Sequence, residues 1–127
     1  MSTAPTDILQ VGQRILAESS CEADRRASIG RFYYAAYHHG LSFEDSKLSV
    51  QGNAGETRGG VHARLISRLL NPAVQANDPA YRTSKQLGYI LRSLRVLRVK
   101  ADYYINEEVD ARDAHGAEQQ SLNALKI

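Results

Sequence analysis

Residues 30 to 40 read GRFYYAAYHHG: an arginine, a block of aromatics and alanines, then two histidines. Wound as an α-helix at about 100° per residue, with Arg31 set to zero, the stretch and its flanks separate into two faces. Ile29, Phe32, Ala36 and Phe43 gather between about 100° and 160° and form the core face. Arg31 and His38 share the opposite face, two turns apart and within about 20° of each other. Asp24 and Ser42 fall on the same stripe, whereas His39 points elsewhere. Around that stripe, Ala27 and Ala35 are small enough for a second helix to approach, and Tyr34 and Leu41 supply apolar area. Such a face reads most simply as a two-fold homodimer contact where two copies of Arg31 and His38 meet. The plainer reading is a face half-covered by a neighbouring helix of the same chain.

Working outward, helical periodicity continues almost everywhere. Ile8, Val11, Ile15 and Leu16 follow the amphipathic rule, with Thr6 or Asp7 as N-cap and an end near Ser19 and Ser20. The second helix should open between Glu22 and Asp24 and close at about Leu41, before the polar run SFEDSK. The segment SVQGNAGETRGG holds four glycines and reads as an exposed, mobile loop. It lacks the Gly-Lys-Ser/Thr ending of a phosphate-binding loop. Val61, Leu65 and Leu69 mark a third helix ending at Asn71-Pro72. Asp78-Pro79 is a capping aspartate followed by proline at the first helical position. From there Leu87, Leu91, Leu94, Leu97 (or Arg98), Ala101 and Ile105 make one long stripe. Asp110, with Asp113 three residues on, caps a last helix that Gly116 weakens. No segment alternates as a strand does, and hairpin turn pairs are missing. The expectation is an all-α, up-down bundle of four to five helices, with the Gly-rich loop between helices 2 and 3. It forms one domain over residues 1–127, of which 1–5 are a flexible N-terminus.

Composition agrees with a folded domain: 43% hydrophobic and 24% charged residues over 127 positions. No apolar run approaches the roughly 18 residues needed to cross a bilayer, so no membrane partner is expected. The first residues, MSTAPTDILQ, lack the pattern of a secretory signal. Cys21 alone offers neither a disulfide framework nor a cysteine metal cluster, and a cytoplasmic location is the simplest. Neither a metal nor another cofactor is expected. The net charge of +2 conceals a strongly basic middle, residues 58 to 105, between acidic ends. That middle either attracts a polyanion such as RNA or offsets the ends across helix contacts.

Three blocks, in order, carry a resemblance. RASIGRFYYAAYHHGLSF, residues 26 to 43, resembles the R-x-YYA-x-[YF]-H helix of the HEPN domain family. TRGGVHARLISRLL resembles that family's GV helix after a flexible loop, and LRVLRVKADYYINEEV resembles its late LR-x-x-R-x-x-ADY helix. The likeness spans roughly residues 22 to 125. It implies a dimerising HEPN-like bundle, and many HEPN proteins are metal-independent endoribonucleases of toxin or defence type. Their Arg-x(4–6)-His motif, at the dimer cleft, is matched at its upper limit by Arg31-x6-His38. Carried over, Arg31 would bind the scissile phosphate and His38 would move protons, with Asp24, Tyr34, Asp102 and Tyr103 supporting. Arg92, Arg95 and Arg98 would contact RNA.

The residue types suit that chemistry. Metal-free RNA cleavage needs a base for the 2′-OH, a proton donor for the leaving 5′-oxygen and positive charge on the phosphorane. Imidazole titrates near neutrality and serves either proton role, so two histidines, one from each subunit, can divide them. Arginine brings a permanent charge in a fork that fits phosphate oxygens. The product would be a 2′,3′-cyclic phosphate. Two departures from the family keep an alternative open. Phe32 follows Arg31 where a polar residue is common, and the family motif usually lies on a late helix. The alternative is a non-catalytic HEPN binding module that partners a nucleotidyltransferase or binds nucleotides in its cleft, and a nucleotidyltransferase-type antitoxin is the further partner the resemblance suggests. No Arg-x4-His-x-Tyr element is present, so tyrosine modification by such a partner does not carry over. Elsewhere, Arg98 and Asp102 read as an i, i+4 ion pair worth a few tenths of a kcal/mol. His62 and His115 read as surface residues, and Tyr33 and Tyr37 as core or rim residues whose hydroxyls reach a polar partner.

Overall fold

In the structure, a computed structural model, residues 2–127 are described; Met1, part of the expected flexible N-terminus, lies outside them, and Pro5 already belongs to a helix. Five helices follow in order: α1 Pro5–Ala17, α2 Glu22–Lys47, α3 Val61–Leu70, α4 Pro79–Tyr103 and α5 Ala111–Leu125. No strand occurs among the described residues, and no helix is long and apolar enough to cross a membrane. α2 is the axis of this helical bundle and touches all four other helices. Its Ile29, Phe32, Tyr33, Ala35 and Ala36 are fully buried, each larger side chain contributing about 2 kcal/mol of burial.

α1 does not use the expected cap. Ala4 occupies the N-cap, Pro5 opens the helix, and the Asp7 carboxylate turns back to accept the Ala4 N–H at 2.8 Å. The buried stripe is Leu9, Gly12 and Leu16. Gly12 sets how closely α1 meets α2, because a Cβ there would lie 2.8 Å from the Phe32 ring and 3.1 Å from Arg31 Cβ.

α2 also corrects the sequence reading: it runs to Lys47 rather than stopping near Leu41. SFEDSK looks polar, but Phe43 and Glu44 point inward and are buried. Glu44 accepts from Arg68 Nε at 2.7 Å and Nη2 at 3.0 Å, so the extra turns reach across to α3. The Gly-rich loop is exposed over residues 58 to 60, yet its first half lies along α3. Gly52 is pressed so closely there that a Cβ would fall 2.0 Å from the Arg68 carbonyl oxygen. Asn53 N–H donates to Asn71 O at 3.0 Å, and the Thr57 and Ser67 hydroxyls pair at 2.7 Å.

On α3, Leu65, Ile66 and Leu69 are buried while Val61 is 65% exposed, so the expected stripe lacks its first member. α4 starts as expected, with Asp78 accepting the Ala80 N–H at 2.8 Å ahead of Pro79. It stops at Tyr103, leaving Ile105 outside the helix and exposed. Arg26 explains the stop. Its guanidinium donates to the carbonyls of Lys100 at 3.1 Å and Ala101 at 2.9 Å, and also to that of Glu107. One cation from α2 thereby binds carbonyls at the end of α4, of which that of Lys100 also accepts the Tyr104 N–H, together with one from the turn that follows. α5 has the expected reciprocal cap: Asp110 accepts from Asp113 N, and Asp113 accepts from Asp110 N. Ser121 of α5 donates to the Phe32 carbonyl at 2.8 Å and fixes α5 against α2.

Candidate functional site

Arg31 and His38 are both exposed, on one stripe of α2 with Ala27 and Ser42. They bracket the same tyrosine. Arg31 Cζ stands 5.3 Å from the Tyr34 ring centroid, and the His38 ring centroid lies 6.4 Å from it at 30° between planes. Tyr34, three residues from one and four from the other, is half-buried and serves as the shelf between them. The stripe is not wholly free, since Arg31 Cβ sits beside Gly12 of α1 and Ala35 is buried.

α4 completes the arrangement from the other side. Arg98 Nη2 donates to Tyr34 Oη at 3.2 Å, and its Cζ lies 5.5 Å from the rings of both Tyr34 and Tyr103 and 5.9 Å from Tyr33. A cation over aromatic faces is attracted by the ring quadrupoles. Asp102 Oδ2 approaches Arg98 Nε at 2.9 Å, the expected i, i+4 ion pair. It sits off the hydrogen-bond axis, so the buried Nε–H has no aligned acceptor. Tyr103 is 65% exposed and edges the cluster with open aromatic surface.

α3 brings a residue from outside the expected site. His62, read as a surface residue, is half-buried, with Nδ1 2.8 Å from the Tyr33 hydroxyl. Its ring centroid lies 4.3 Å from that of Tyr37 and 5.9 Å from that of Tyr34. Burial lowers its pKa, and the charges of Arg98, Arg95 and His38 push the same way. Tyr33 is buried and fully covered, which raises its phenol to about 12 despite the opposing pull of Arg95 and Arg98. The only sequence signal for His62 was its place at the start of the helix in the GV block. Which rings the start of α3 docks against is a long-range matter that no periodicity encodes.

The remaining candidates divide. Arg95, half-buried, lies near enough for its charge to act on Tyr33 and His62, and it also lines a groove of about 450 Å³ between α3 and α4. Arg92 is on that groove, over the Tyr89 ring at 5.0 Å, rather than in the cluster. Asp24 is not brought to the cluster. Its carboxylate accepts the Ser20 N–H at 3.0 Å, a local cap that holds it below the usual carboxylate range. His115 is exposed, 3.7 Å from Glu118, as expected of a surface residue. No group of three or more metal-ligating side chains forms among the described residues. What converges is a pair of guanidiniums on aromatic walls, that of Arg98 paired with Asp102, with two imidazoles beside them. Compared with known proteins, the chain matches no family model, no curated protein and no solved structure.

Proposed function

We propose that the chain is a metal-independent endoribonuclease of the HEPN toxin or defence type, acting in the cytoplasm as a homodimer. The observation that carries this reading is the bracketing of Tyr34 by Arg31 and His38 on one exposed stripe, with Arg98 beside it. Arg31 engages the non-bridging oxygens of the scissile phosphate. His38 moves protons, and across a two-fold axis two copies divide the work: one takes the 2′-OH proton, the other supplies the 5′-oxygen. The 2′-oxygen bonds to phosphorus, the P–O5′ bond breaks, and a 2′,3′-cyclic phosphate remains. Exposed Tyr103 supplies stacking surface for unpaired bases, which favours single strands over duplex.

The test is cleavage of single-stranded RNA and tRNA with chelator present by the wild type, Arg31→Ala and His38→Ala. Cleavage leaving cyclic phosphate, reduced about 10²- to 10⁴-fold in His38→Ala, is expected. Equal residual cleavage by all three proteins, or none by any, refutes the nuclease. RNA binding that weakens steeply with salt, without cleavage, would point to the non-catalytic module that partners a nucleotidyltransferase.

A further inference from the structure

The Tyr33 hydroxyl has a single hydrogen-bonding partner among the described residues, Nδ1 of His62. Because Tyr33 is fully covered, water cannot take its proton, and a buried O–H without an acceptor is costly. The phenol proton therefore points at Nδ1, which must be bare. A neutral His62 then carries its hydrogen on Nε2, and adding a second proton would set N–H against O–H. Burial and the charges that face the ring act in the same direction: Arg95 and Arg98 from α4, the latter paired with Asp102, and His38 from α2 disfavour a charge on it, and the Tyr33, Tyr34 and Tyr37 rings pack around it. Among the described residues no group takes Nε2, and it is not among the buried unpartnered atoms.

We infer that His62 is the uncharged anion-binding group of this cluster, its Nε2–H donating to a non-bridging oxygen of a nucleic-acid phosphate beside Arg98, with Tyr33 as the positioning residue that sets the tautomer. A fixed N–H dipole in a partly dry site stabilises charge as it grows on a phosphorane and needs no reorganisation to do so. It also leaves proton transfer to His38, so the two imidazoles of one chain have different tasks. The assignment of the phosphate to a nucleic-acid strand rests on the ribonuclease reading; the tautomer and the anion contact do not.

The experiment uses the full chain with ¹⁵N-labelled histidine. Imidazole spectra are recorded between pH 5.5 and 8, alone, with inorganic phosphate, and with a single-stranded deoxyoligonucleotide that lacks the 2′-OH and stays intact. His62 should appear as the Nε2–H tautomer, and Tyr33→Phe should release it to a mixture. The oligonucleotide should shift the Nε2 resonance and slow exchange of its proton. His62→Ala should weaken oligonucleotide binding about tenfold, the size of one hydrogen bond to a charged group, and His62→Gln should restore part of it. An Nδ1–H tautomer in the wild type or an unmoved Nε2 with both probes overturns the inference, and a response to phosphate without one to the oligonucleotide overturns its assignment to a nucleic-acid strand. RNA cleavage is not read here, so an inactive protein with a responding Nε2 refutes only the nuclease.

Discussion

Replacing Glu44 by alanine tests whether the last turns of α2 hold α3 in place. α3 leans chiefly on α4, and two polar ties join it to α2: Tyr33–His62 at its start and Glu44–Arg68 at its end. The second is a forked pair, at 2.7 and 3.0 Å, with side-chain exposures of 17% for Arg68 and 9% for Glu44. Breaking a buried pair by removing one partner costs about 3–5 kcal/mol, because the remaining charge is left without compensation. Arg68 keeps some contact with water, which places Glu44→Ala near the lower end, about 3 kcal/mol. For a chain of this length that lowers the melting temperature by about 12 °C. Urea unfolding of Glu44→Ala, Arg68→Ala and the double variant closes a double-mutant cycle. The second substitution should cost far less than the first, with a coupling of about 2 kcal/mol. Additivity of the two losses within about 0.5 kcal/mol would refute the reasoning, since the pair would then contribute nothing as a pair.

Arg26→Ala should destabilise the chain by about 2–3 kcal/mol in urea titrations, because several carbonyls at the end of α4 lose a charged donor together. Arg26→Lys should recover little, a single ammonium being unable to span that spread of carbonyls. Gly52→Ala forces a methyl against the Arg68 carbonyl and should cost about 2 kcal/mol by thermal unfolding, whereas Gly116→Ala meets nothing and should be neutral or stabilising. The pKa values of His39 and His62 are held below the ordinary 6.5, His39 by burial and His62 by burial and neighbouring charge. The unfolded chain therefore takes up protons that the folded one refuses, and stability should decline as pH falls below about 6.5. Unfolding free energies at pH 7.5, 6.5 and 5.5 check this, and a flat profile or a rise toward pH 5.5 contradicts it. His62→Ala should shallow the slope.

Local chemistry was sufficient for the helices and for several of their ends. Asp78-Pro79 and Asp110 with Asp113 cap where the residue types require, because a cap is made within four residues and needs nothing distant. The core face of α2 was likewise legible, since Ile29, Phe32, Ala36 and Phe43 recur at the helical period whatever they pack against. The tertiary structure alone decided where α2 and α4 end, because Glu44 and the α4 carbonyls owe their places to Arg68 and Arg26, tens of residues away. The site divides in the same way. Arg31 and His38 share a stripe by the pitch of a single helix, but Arg98 over Tyr34 and His62 on Tyr33 meet only once α3 and α4 have packed. Periodicity records which side of a helix turns inward; it carries no address for the helix it will meet there.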